Sequence, residues 1–234
     1  MIHAVLLDLD GTLLPVDTAQ LIDAYVRLLA SWFARWVPPD RFVPRLLAAT
    51  QTMMEDRDPT RTNREVFDEA FYPALGLTGE SMAAPLAEFY EREFPKLRTL
   101  ASADPAAREA VSIVLARDRL AVLATQPIFP EVAVRERMAW AGIADLPFAL
   151  VTTYETSHFC KPHPEYFREV AAAIKCEPRD CLFVGNDGVE DATARQVGMQ
   201  TYLVTDHLTN RARAPSEVGR MGSLRDLPSL LSNL

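Results

Sequence analysis

At 234 residues, with 49% hydrophobic and 24% charged side chains, the chain has the make-up of a soluble globular protein, one large domain or two smaller ones, with ample length for a core. A formal charge of −8 and a pI near 5.1 argue against broad nucleic-acid binding, so an anionic ligand would need local positive groups or a metal. No membrane span is expected, because the most apolar long segment, Leu21 to Val37, is broken by Asp23, Arg27 and Arg35.

The first element reads as a strand. Ala4 to Leu7 is an unbroken apolar run, too short for a free-standing helix and suited to burial on both faces. It runs into Asp8, Asp10 and Gly11. Residues i and i+2 of a strand face the same way, so Asp8 and Asp10 are expected to project together from its C-terminal end, where Gly11 lets the chain turn. From Pro15 to about Leu100 the pattern is helical throughout. Thr18 is placed as the cap of a first helix with an apolar face of Leu21, Tyr25, Leu28, Trp32 and Trp36, ended by Pro38-Pro39. A second helix starts at Asp40 and carries Leu46, Leu47, Thr50, Met53 and Met54. Thr62 and Glu65 fit a capping box opening a third, with Val66, Phe67, Ala70 and Phe71 inward, and Ser81 to Phe94 forms a fourth.

Beyond Leu100 strand and helix alternate. Asp104-Pro105 opens a helix through Val111, Val114 and Leu115, and Leu120 to Thr125 is a buried strand. Then come a helix from Pro130 to Trp140, a strand from Phe148 to Thr152, and a helix from Pro164 to Lys175. Cys181 to Gly185 is a strand, Val189 to Val197 a helix, and Thr201 to Thr205 a strand. The tail from Arg211 to Leu234 ends in an apolar turn (Leu227, Leu230, Leu231) expected to pack against the outer helices of the sheet. This alternation implies an α/β fold, a doubly wound parallel sheet interrupted early by an all-helical insert. The expected division is a Rossmann-like core of residues 1–14 and 101–234 and a helical cap of 15–100 lying over the rim as a lid. Cys160, Cys176 and Cys181 have no CxxC or metal spacing, which suits a reducing, cytoplasmic setting, and strand-like sequence starts too early for a visible secretory leader.

In a parallel sheet, ligands bind at the C-terminal rim of the strands, and polar residues gather there. Thr125 and Gln126 close one strand, where a hydroxyl and nearby N–H groups could hold a phosphate oxygen. Lys161, before Pro162-His163-Pro164, carries the cation a phosphate needs, whereas His163 has no evident partner and is taken as structural. The segment Gly185-Asn186-Asp187-Gly188-Val189-Glu190-Asp191 brings further acids to the rim. Four or five acids meeting there suit a hard, oxygen-liganded ion such as Mg²⁺, although Asp187 and Glu190 would also suit a first helical turn.

The ordered set resembles the haloacid dehalogenase superfamily. Asp8-Leu9-Asp10-Gly11-Thr12 matches its first motif, Thr125 the second, Lys161 the third and Gly185 to Asp191 the fourth, and the insert resembles its helical cap type. The resemblance implies Mg²⁺-dependent hydrolysis of a small phosphate monoester, with Asp8 attacking phosphorus and Asp10 as acid and base. Gly11, Thr12, Thr125, Gln126 and Lys161 would hold the phosphate, and Asp8, Asp10 through its main-chain carbonyl, Asn186, Asp187 and Asp191 would supply the metal site. The family pattern has aspartate directly after the glycine, where this chain has Asn186, so two alignments stay open. Asp187 with Asp191 keeps two acids at a four-residue step, and is favoured; Asn186 with Asp191 keeps the longer step and loses a charge. The expected partner is a small phosphorylated metabolite, with no nucleic acid or membrane and the oligomeric state open. A phosphomutase, or a binding or regulatory protein that has kept the fold, are the alternatives.

Overall fold

In the computed structural model, which describes residues 1–210 and 219–234, six parallel strands form one sheet in the order β3-β2-β1-β4-β5-β6. These are β1 (Ala4–Leu7), β2 (Leu120–Leu123), β3 (Leu150–Val151), β4 (Cys181–Gly185), β5 (Gln200–Val204) and β6 (Arg220–Gly222). β1 lies at the centre, paired to β2 with Leu7 opposite Leu123 and to β4 with Leu7 opposite Val184. The chain order reverses between β1 and β4, and a crevice opens outside the strand ends at such a switch point. The ends of β1 and β4 carry the two acidic segments.

Side-chain alternation divides the core. Val5, Leu7, Leu123 and Val184 join one apolar cluster with helices α5 (Pro105–Ala116), α6 (Glu131–Trp140) and α8 (Leu227–Ser232). Ala4, Leu6, Val122 and Phe183 face the other way, onto Tyr166, Phe167 and Val170 of α7 (Pro164–Ala173). The β1 side chains are wholly buried, each contributing about 1.5–3 kcal/mol for the larger ones. All three cysteines are free, and no helix among the described residues is long and apolar enough to cross a membrane.

The insert consists of α1 (Thr18–Phe33), α2 (Pro39–Glu55), α3 (Asn63–Leu75), α4 (Gly79–Arg92) and a 3₁₀ stretch, Phe94–Leu100. The Thr62–Glu65 capping box is present as expected, and Gly76, at φ 71°, ends α3. Asp17, not Thr18, caps α1: its carboxylate accepts from the Gln20 N–H at 3.0 Å. That helix stops at Phe33, so Trp36 falls outside it and is 38% exposed, and Leu47 of α2 is 53% exposed. The insert shares its core with the sheet. Phe33, Phe42, Phe71, Phe89 and Phe94 belong to the same cluster as α5 and α6, and Phe94 stacks on Trp140 at 5.4 Å. Hydrogen bonds at the start of α3 tie it over the rim. The Asn63 amide donates to the Pro127 carbonyl at 3.0 Å, and the Asn63 and Arg64 N–H groups donate to the Ser157 and Tyr154 carbonyls, each at 2.8 Å.

Two departures lie near the site. The segment expected as a helix from Val189 is instead a 3₁₀ run, Ala192–Val197. Asp187 caps the turn before it through the Val189 and Glu190 N–H groups, and Asp191 accepts the N–H groups of Asn186 and Asp187. β6 was not expected, since Arg220-Met221-Gly222 is short and half polar. Of the tail, Leu227 and Leu231 are buried with α5, while residues 211–218 lie outside the described residues.

Candidate active site

Strand β1 ends at Leu7, so the same-face expectation for Asp8 and Asp10 does not hold in its simple form. The Leu9 carbonyl accepts from the Thr12 and Leu14 N–H groups, and Gly11, at φ 77°, donates to the Leu14 carbonyl. This hook leaves both carboxylates at one rim but turns them to different cations. Asp8 faces Lys161; Asp10 faces Arg137.

Lys161 is fully buried, with Nζ 2.9 Å from Asp8 and 2.7 Å from Asp191. Burial opposes its charge, and the two carboxylates overcome that and hold its pKa well above the usual lysine range. Burial also pushes the Asp8 carboxyl up, an effect the Lys161 ammonium counteracts. The second Asp191 oxygen accepts the N–H groups of Asn186 and Asp187, both at 2.9 Å, so Asp191 orients the lysine and the loop after β4. Gly185 is required here: a Cβ would sit 2.2 Å from the Asp191 carboxylate.

Gln126 is committed differently from the expectation. Its side-chain oxygen accepts the Lys161 N–H at 2.9 Å and its amide donates to the Lys161 carbonyl at 3.0 Å, clamping the lysine's main chain. Its amide also approaches Glu190, whose carboxyl burial raises to about 7. What Gln126 can offer a ligand is its main-chain N–H, which, like those of Leu9 and Asp10, donates to nothing among the described residues. Thr125 is buried beside it; its carbonyl is taken by the Thr152 and Tyr166 hydroxyls, and its own hydroxyl makes no bond among the described residues.

The fourth-motif alternatives separate. The Asp187 carboxylate accepts from the Val189 and Glu190 N–H groups, both at 2.7 Å, and from Thr209 and Asn210, both at 2.6 Å. These bonds hold its pKa below the usual range despite partial burial, which works the other way. Both oxygens are engaged by the loop, although Asp187 is the metal ligand that the sequence favours. Asn186 instead turns inward. Its Oδ1 accepts from Thr12 at 3.1 Å, the same hydroxyl that lies 3.2 Å from Asp8, and its amide donates to the His207 carbonyl. A Cβ on Gly11 would lie 2.3 Å from the Asn186 amide nitrogen, so the first motif's glycine makes room for this contact.

Arg137 is the residue that sequence inspection missed. It is 1% exposed on α6, ion-pairs with Asp10 Oδ2, donates from Nε to the Ala133 carbonyl, and lies over the Phe129 ring at 4.3 Å. Burial raises the Asp10 pKa and the guanidinium lowers it. One signal was available: Arg137 falls among Ala133, Val134 and Met138 on the apolar face of its helix, where an unpaired charge is costly. Asp10 Oδ1 and Arg137 Nη2 are buried without a partner among the described residues.

Among curated proteins, the haloacid dehalogenase-like hydrolase domain-containing protein 3 of Xenopus laevis is 38% identical over 58 residues, which are 24% of this chain and 24% of that protein. Similar solved structures include the L-2-haloacid dehalogenase of Xanthobacter autotrophicus (19% identity, TM-score 0.58, all of both chains). A HAD phosphatase from Thermococcus onnurineus (18%, 0.61, 99% of this chain and 98% of that one) and a putative beta-phosphoglucomutase from Thermotoga maritima (20%, 0.59, all of both chains) are comparable. At these identities the likeness is one of fold, and the fold hosts several reactions. The model of the haloacid dehalogenase-like hydrolase family matches residues 2–198, most of the chain, and the chain therefore belongs to that family.

Proposed function

We propose that the protein is a Mg²⁺-dependent phosphatase acting on a small phosphate monoester through an aspartyl phosphate, with residues 15–100 serving as its cap. The observation that carries this is the second acid. Transfer of a phosphoryl group to Asp8 needs a proton donor for the leaving oxygen and then a base for water, and Asp10 opens onto the same cavity as Asp8, its carboxylate held by Arg137. Displacement of halide from carbon needs no such donor.

The residues present fit a magnesium ion. An Asp8 carboxylate oxygen, the Asp10 main-chain carbonyl (which accepts no hydrogen bond among the described residues) and Asn186 Oδ1 form an all-oxygen donor set of the kind Mg²⁺ takes. Among the described residues no three His, Cys, Asp or Glu side chains converge to hold a metal, so the main-chain and amide oxygens are essential to it. Bound Mg²⁺ would supply the positive charge that lets a phosphate dianion approach Asp8.

The rest belongs to the chain. Asp8 attacks phosphorus while Asp10 protonates the departing alkoxide; Asp10 then takes a proton from water, whose oxygen displaces the phosphate from Asp8. Lys161 offsets charge on the phosphoryl oxygens, and the free N–H groups of Leu9, Asp10 and Gln126 and the Thr125 hydroxyl are positioned to donate to them. The partner is a small phosphorylated metabolite, and the unpaired thiols suit a reducing compartment. The test is phosphate release from an aryl phosphate and a panel of small phosphomonoesters, with Mg²⁺ or a chelator, for wild type and Asp8→Asn. Release that depends on both Mg²⁺ and Asp8 is expected; release that survives either loss would refute the mechanism.

A further inference from the structure

Two cavities meet above the rim. One, of about 660 Å³, holds Asp8, Asp10, Thr125, Lys161 and the loop after β4. The other, of about 100 Å³, lies beneath the insert, with walls from all four of its helices and from the loop after β2. Ile22, Val26 and Leu47 line both, so the two cavities are neighbours that share these side chains as a common wall.

The inner compartment has a different chemistry from the rim. Its lining includes Tyr25, Phe33, Phe42, Phe67, Phe71 and Phe129, and no Asp, Glu, Lys, Arg or His. Its side-chain polar atoms are hydroxyls: Tyr25 pairs with Tyr90 at 2.9 Å and Thr50 donates to the Leu46 carbonyl at 2.9 Å, while those of Tyr72 and Tyr154 make no hydrogen bond among the described residues. Trp32 is not part of it, since its indole N–H is fixed to the Pro85 carbonyl at 3.0 Å. A polyol placed there would strand most of its hydroxyls, whereas an apolar group would replace water against aromatic walls. The volume is of the same order as the about 150 Å³ apolar void that takes up benzene.

Position connects this compartment to the reaction. Phe129 forms part of its wall, Arg137 lies over Phe129, and Arg137 holds Asp10. Asp10 is therefore linked to the compartment's wall through Arg137, and it opens onto the same rim cavity as Asp8 and Lys161.

Resting on the phosphatase function above, we infer that the substrate is the phosphate monoester of an apolar alcohol about the size of one aromatic ring or a short branched chain. Its phosphate binds at Asp8 and Lys161, and its carbon skeleton occupies the aromatic compartment beneath the insert. Sugar phosphates and short polar acids are disfavoured because the compartment offers them no charge and only the Tyr72 and Tyr154 hydroxyls as unpaired donors among the described residues.

The experiment compares 2-phenylethyl phosphate with glycerol 1-phosphate, two alkyl esters of similar chemistry, in wild type with Mg²⁺. A kcat/KM ratio of about tenfold or more for the phenylethyl ester is expected, the scale on which apolar pockets discriminate. Leu86→Trp, which fills the compartment, should bring the ratio toward one. Phe67→Ala, which enlarges it, should raise kcat/KM for a 2-naphthylethyl ester relative to the phenylethyl ester, so the test does not depend on one variant folding. Hydrolysis of both esters with no preference, or with glycerol 1-phosphate preferred, overturns the substrate class and leaves the phosphatase function standing. No Mg²⁺-dependent release from either ester, or from an aryl phosphate, overturns that function and this inference with it.

Discussion

The two ends of the rim use a buried cation in opposite ways. Around Lys161 every oxygen that faces the ammonium is accounted for: Asp8 and Asp191 bind Nζ, Thr12 lies against Asp8, two N–H groups satisfy the rest of Asp191, and Gln126 clamps the lysine's main chain. Around Arg137 the pairing is incomplete, for Asp10 Oδ1 and Arg137 Nη2 have no partner among the described residues. A satisfied network in a low dielectric is rigid, whereas an unsatisfied one is a site of stored cost that a ligand can relieve. The difference matches the tasks proposed for them. Asp8 must stay in place to attack, and Asp10 must exchange protons with a group that arrives.

Substitutions can break this contrast, beginning with the largest effect. Asp8→Asn should reduce turnover by about 10³-fold or more with the fold retained, read from phosphate release beside an unfolding curve. Lys161→Met should cost about 3–5 kcal/mol in a denaturant titration, because two buried carboxylates lose the cation that pairs with them among the described residues. Arg137→Met should cost less, about 1–3 kcal/mol, since Asp10 is 13% exposed at its side chain and can regain water. It should also move the Asp10-dependent limb of the pH–rate profile to higher pH. The guanidinium favours the ionised carboxylate, so its loss leaves burial alone to raise the pKa. Equal stability losses for the two cation variants would erase the distinction between the ends of the rim.

The smallest effects sharpen the metal assignment. Asn186→Asp should lower the Mg²⁺ concentration for half-maximal activity by about tenfold, because it adds a charged ligand where a neutral one stands. Asp187→Ala should leave that concentration nearly unchanged and lower stability by about 1 kcal/mol, the usual loss for a cap. The reverse order would return Asp187 to the metal.

Much of this was legible along the chain because it depends on local rules. Apolar runs such as Ala4 to Leu7 and Cys181 to Gly185 mark buried parallel strands whatever surrounds them. The Thr62–Glu65 box and the Asp104 cap are satisfied within one turn. That Asp8, Thr125, Lys161 and Asp191 gather at one cavity is legible because a parallel sheet delivers its strand ends to one rim. Contacts between distant segments could not be read this way. Arg137 meets Asp10 across 127 positions, and only the packing of α6 against the sheet turns it inward. Asn186 and Asp187 are adjacent and nearly isosteric, and their roles diverge because Gly11 approaches one and Thr209 and Asn210 engage the other. Likewise, Tyr25 lines a cavity while Trp32, two turns later on the same helix, is pinned to α4. Periodicity assigns both to one apolar face, and only the neighbouring elements decide which side chain is packed and which faces a cavity.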